Sequence, residues 1–92
     1  MRIQIKNSSN RKISLKIKDC GKGEICIGRT NRDHVKDFDL HLVQDGTDYA
    51  VYLFNSKVKK HDDAFIRQLD PMTLGEAIDY LTNLSAKEAL EN

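Results

Sequence analysis

The chain contains no tryptophan, a single proline, two cysteines and no phenylalanine or tyrosine before Phe38. That last absence matters most. Residues 1–37 hold most of the positive charge, yet they contain no Phe, Tyr or Trp ring to serve as a stacking platform for nucleic-acid bases. Two cysteines permit at most one disulfide. The opening stretch MRIQIKNSSNRKISLK has no apolar block of the kind a secretion signal needs, so the expectation is a cytoplasmic protein whose thiols stay reduced. No apolar run approaches the roughly 20 residues of a membrane span, so no membrane partner is expected.

What is present is a chain of 92 residues, 39% hydrophobic and 32% charged, whose apolar residues fall in regular alternation, the mark of a folded chain and not a disordered one. Its length predicts a single compact domain spanning residues 1–92, with one core. The net charge of +1 hides an uneven layout. Residues 1–32 carry nine Lys/Arg against two acids, residues 33–70 five against eight, and residues 71–92 one against four. Such asymmetry marks either a steering field for an acidic partner or a nucleic-acid face, set against the plainer reading of a solvated strand surface.

Period-two patterning dominates the first half. Arg2 to Lys6 and Lys12 to Lys18 alternate polar and apolar around the turn residues Asn7-Ser8-Ser9-Asn10, which predicts a β-hairpin with Ile3, Ile5, Ile13, Leu15 and Ile17 inward. Arg2, Lys6, Lys12, Lys16 and Lys18 then share the opposite face as a basic stripe. Gly21-Lys22-Gly23 turns the chain into a third strand over Glu24–Gly28. Phe38–Leu42 and Tyr49–Phe54 follow as further strands around Asp45-Gly46, the last apolar on both sides and therefore interior to the sheet. Beyond Ser56 the pattern changes. Ala64–Leu69 reads as a short helix, Asp70-Pro71 as a breaker or a helix entry, Thr73-Leu74-Gly75-Glu76 as a capping box and Ser85-Ala86-Lys87-Glu88 as a second one, which predicts two short helices or one helix bent at Asn83 to Ser85. The predicted fold class is α+β: a small antiparallel meander sheet of about five strands in residues 1–54, with C-terminal α-helices from residues 64–92 packed on one face.

The chemistry-bearing residues do not assemble into a recognisable catalytic pattern. Cys20, Cys26, His34 and His41 are spaced C-x5-C-x7-H-x6-H, without the tight cysteine knuckle or paired histidines of structural zinc sites, so no metal is expected. The glycines of Gly21-Lys22-Gly23 join strand to strand, whereas a phosphate cradle runs from strand into helix. His61-Asp62-Asp63 has the look of a metal phosphohydrolase dyad but lacks the further helical ligands such a site requires, and Asp37-Phe38-Asp39 is a carboxylate pair without a visible pocket. No nucleophile and base fall at a supporting spacing. The expectation is a non-enzyme without cofactors.

The stretch ICIGRTNRDHV, followed by HLVQDGTDYAVYLFNS, resembles part of a forkhead-associated domain, which implies a phosphothreonine-reading β-sandwich. That resemblance covers about a third of the chain, and because no Ser-Arg pair precedes His41 it transfers no site. The helix TLGEAIDYL has an antitoxin-like setting after a sheet. In its Lys, Ile, Asn and Asp richness and small size the chain looks like short accessory proteins of bacteriophages and mobile elements that block a host enzyme. The function expected is thus protein binding, as an adaptor or inhibitor, through Arg2, Lys6, Lys12, Lys16, Lys18, Arg29 and Arg32 against a partner with an acidic surface; the alternative is nucleic-acid binding by the same basic face.

Overall fold

Each alternating block of the sequence becomes a strand. The structure, a computed structural model, describes residues 1–59 and 61–90, with His61 and Asp62 described by backbone alone. In chain order the elements are β1 (Arg2–Lys6), β2 (Lys12–Gly21), β3 (Glu24–Arg29), β4 (Phe38–Asp45), β5 (Asp48–Asn55), α1 (His61–Ala64), β6 (Phe65–Met72), α2 (Leu74–Asn83) and α3 (Ala86–Leu90). The sheet is a six-stranded antiparallel meander in the order β1-β2-β3-β4-β5-β6. This is the expected α+β architecture with one strand more than expected. It is a single sheet with helices, not the two-sheet sandwich that the forkhead-associated resemblance implies.

The turns are set by the residues the alternation leaves between strands. Asn7 Oδ1 accepts from the Ser9 and Arg11 amides at 3.0 and 2.9 Å, which folds the β1–β2 connection on itself. Between β4 and β5 the two-residue loop Gly46-Thr47 joins the paired Asp45 and Asp48, and Gly46 has φ +66°, the left-handed geometry a hairpin turn of this type demands at its first central position.

The additional strand replaces the helix expected over Ala64–Leu69. Ala, Arg, Gln and Leu there suit a helix, but an antiparallel partner is available in β5, and pairing with it half-buries Ile66 and Leu69 against the core. Register shifts between Tyr49 and Val51 and between Leu53 and Phe54 mark bulges in this pairing. Pro71 falls at the first of them, on the outer strand, where a missing N–H is tolerated; Asp70-Pro71 is therefore neither a breaker nor a helix entry.

One face of the sheet and the two C-terminal helices make the core. Ile13, Leu15, Ile27, Leu40, Leu42, Val51, Leu53, Ala77, Leu81 and Ala89 are all fully buried. Each large apolar side chain contributes roughly 1.5–3 kcal/mol on removal from water. The capping box of α2 is complete: Thr73 Oγ1 accepts from the Glu76 amide at 3.2 Å while Glu76 Oε1 accepts from the Thr73 amide at 3.1 Å. Helix α3 is held by Ser85 Oγ, which accepts from the Glu88 amide, and by Arg67 of β6, whose guanidinium donates to the Glu88 and Ala89 carbonyls at 2.7 and 3.2 Å. Two separate short helices, the break falling at Leu84-Ser85, match the two capping signals in the sequence.

Candidate functional site

The helices bury one face of the sheet, and strand alternation sends every second side chain to the other. On β1 and β2 this second face carries Arg2, Gln4 and Lys6 opposite Lys16, Ser14 and Lys12, with Lys18 further along β2. The four lysines and Arg2 are exposed. The structure thus brings five of the seven expected partner-binding cations together.

The other two lie elsewhere. Arg32 is exposed in the loop from β3 to β4, beside Asp37 and Lys57, off the strands that carry the stripe. Arg29 is corrected outright. Only 6% of it is exposed, because it has the same strand parity as Ile25 and Ile27 and points to the core side. There Nη1 donates to the carbonyls of Leu81 and Leu84 at 3.2 and 2.9 Å, and Nη2 donates to Asp33 Oδ2 at 2.7 Å. A cation on the terminal carbonyls of α2 satisfies groups that the helix itself cannot pair and opposes the negative end of its dipole. Asp33 in turn accepts from the Val35 amide at 2.8 Å, which fixes the middle of the β3–β4 loop. Arg29 is a clamp between sheet, helix and loop.

Following the register across the sheet shows what the stripe adjoins. One row runs Lys16, Gly28, Asp39, Phe54, Phe65, and a second runs Lys18, Cys26, His41, Tyr52, Gln68. With strands about 4.8 Å apart, Lys16 and Phe54 lie ~14 Å apart along their row. The far end is aromatic. His41 packs on Phe54 with ring centroids 4.3 Å apart, Phe54 meets Phe65 edge-on at 5.7 Å, and Tyr52 lies 6.4 Å from Phe65. Phe65 remains 45% exposed and Val43 37%. A shallow groove of about 500 Å³ runs over Cys26, His41, Tyr52 and Phe54 with Cys20 and Glu24 at its margin. Sequence reasoning missed this aromatic half because it sought rings among residues 1–37, whereas the sheet brings them from β4, β5 and β6. The alternation of Tyr52 and Phe54 with Val51 and Leu53 was the available signal.

Between the basic and aromatic halves stand two acids, Glu24 and Asp39. Asp39 lies directly over Gly28, where an added Cβ would come within 2.6 Å of its Oδ1, so the small residue makes room for the carboxylate. Burial, and secondarily the charge of Asp37, raises the Asp39 pKa above its ordinary 3.8. Next to it, burial and the neighbouring Cys20 push the Cys26 thiol up to about 12.

Of the metal candidates, Cys20 and Cys26 adjoin with sulfurs 3.2 Å apart, and His41 pairs with Cys26 in register, while His34 is exposed in the β3–β4 loop. Among the described residues no group of three or more His, Cys, Asp and Glu side chains converges as metal ligands. The side chains of His61 and Asp62 lie outside the described residues. No described helix is long and apolar enough to cross a membrane. In comparisons with known proteins, the chain matches no family model, no curated protein and no solved structure.

Proposed function

We propose that this is a non-enzymatic binding protein that docks a protein partner with an acidic surface onto the second face of its sheet. The observation that carries the reading is the juxtaposition in two cross-strand rows of an exposed cation stripe and a partly exposed aromatic cluster, on the face opposite α2 and α3. Protein interfaces have this anatomy: aromatic anchors that are desolvated on binding, surrounded by polar and charged groups that set orientation and association rate. A domain this small acts on an enzyme by covering part of it, which is the inhibitor form of the proposal.

The same cations and rings invite the nucleic-acid alternative, and the intervening acids favour the protein. A strand laid from the lysines to the rings would carry its phosphates past Glu24 and Asp39, where like charges repel. The Phe54–Phe65 pair is also arranged edge-to-face, at 63°, so these two rings present no parallel platform for successive bases.

The test combines capture from nuclease-treated extract of the source organism with titration of the captured protein once purified. The wild type is expected to retain a protein that Lys16→Glu/Lys18→Glu releases through slower association, with the difference shrinking as salt rises, and that Phe65→Ala releases through faster dissociation. A fluorescent oligothymidine is the parallel probe. Tight oligothymidine binding with a steep log-linear salt dependence would overturn the reading in favour of nucleic acid. It is equally overturned if no protein is retained after nuclease treatment, or if Phe65→Ala abolishes self-association of the purified chain, which would assign the face to a second copy.

A further inference from the structure

The groove on the second face ends at two thiols. Cys20 sits within the β2–β3 pairing where the register slips between Asp19 and Gly21, so it has no partner residue directly across and occupies the bulge. Asp19 Oδ1 accepts from the Gly21 amide at 2.8 Å and holds that bulge, with Gly21, Lys22 and Gly23 all at positive φ beyond it. The local geometry sets the Cys20 sulfur 3.2 Å from that of Cys26 on the neighbouring strand. Cys20 is exposed and Cys26 half-buried. We propose that Cys20 and Cys26 form a reversible dithiol–disulfide couple, a modification site at the margin of the binding face that reacts with low-molecular-weight disulfides of the glutathione type.

The reaction balances as two exchanges. The Cys20 thiolate attacks one sulfur of the small disulfide, forming a mixed disulfide and releasing one small thiolate. The Cys26 sulfur, as it gives up its proton, then attacks the Cys20 sulfur of that mixed disulfide and releases the second small thiolate. The protein loses two electrons and two protons, and the small disulfide gains both to become two thiols. Geometry assigns the order. Cys20 is the sulfur that solvent reaches, whereas Cys26 is shielded, and its thiol is held protonated by burial, by Cys20 and by the nearby charges of Asp39 and Glu24. Closing the bond draws the sulfurs together by about 1.2 Å, a movement the bulge can absorb without breaking the strand pair. Oxidation therefore ties the β2–β3 turn down beside Cys26 and His41 and changes the groove margin. The proposal holds whether or not the face binds a protein.

The experiment incubates the purified chain with oxidised glutathione, then counts free thiols in denaturant and measures intact mass. The expected product is monomeric, has no free thiol, carries no glutathione and is lighter by two hydrogen atoms, and dithiothreitol reverses it. Cys26→Ser should stop at a glutathione adduct on Cys20, and Cys20→Ser should react at least about tenfold more slowly than Cys26→Ser. Two persistent glutathione adducts on the wild type, disulfides between chains, unreacted thiols, or equal rates for the two single variants would overturn it.

Discussion

On the side of the sheet that faces α2 and α3, Ile13, Leu15, Ile27, Leu40 and Leu53 are fully buried; one residue along the same strands, Lys12, Lys16 and Lys18 are exposed and His41, Tyr52 and Phe54 are half-buried. The same backbone thus serves two surfaces with opposite demands. Burial of aliphatic side chains holds the first together, and the guanidinium Nη1 and Nη2 of Arg29 find their partners within it, at the end of α2 and on Asp33, while its Nε is buried without one. Like charges gather on the second, with Arg2 opposite Lys16 and Lys6 opposite Lys12, an arrangement that mildly opposes folding. On the proposed function, this like-charged face serves association and the helix-covered face serves stability. Substitutions on the two sides should therefore separate cleanly.

The sharpest break is expected at Arg29. Replacing it with Ala leaves Asp33 buried without its cation and the Leu81 and Leu84 carbonyls without their donor, so unfolding free energy should fall by about 3–5 kcal/mol in a denaturant titration. A loss below ~1 kcal/mol would return Arg29 to the surface cations. Leu81→Ala comes next, at about 2–5 kcal/mol, because the side chain is fully buried beneath the sheet; an unchanged midpoint would show that α2 is an appendage. On the second face, Lys16→Glu/Lys18→Glu should leave thermal stability within roughly 0.5 kcal/mol of wild type or slightly above it.

The smallest effect concerns pH. Because Asp39 has a raised pKa in the folded state, folding takes up a proton between the unfolded and folded values, and stability falls as pH rises through that window. Asp39→Asn removes this loss. The variant should be the more stable protein at neutral pH, and its advantage should disappear once pH drops below the ordinary value of 3.8. An advantage that persists in acid would assign the effect to packing over Gly28 instead.

How much of this was legible depends on how local the signal is. Strands β1 to β4 announce themselves by alternation and β5 by a short apolar run, each bounded by turn residues, and the capping box of α2 needs only four consecutive positions. Strand β6 does not, because residues 64–69 suit a helix as well as a strand, and the choice is made by the free edge of β5. Arg29 is the exception among the basic residues near the stripe, because its parity with Ile25 and Ile27 on β3 points it inward. The aromatic half of the second face was hidden for a different reason. Phe65 and Lys16 are far apart in sequence and share a row only through four successive strand pairings.

The central claim is that the helix-covered face carries stability and the other carries recognition. It is tested most directly by combining Lys16→Glu, Lys18→Glu and Phe65→Ala in one chain and measuring unfolding free energy beside capture from nuclease-treated extract. The predicted result is a protein within about 1 kcal/mol of wild type that no longer retains the wild-type partner. A triple variant that retains the same partner, or one that loses its fold, contradicts the account.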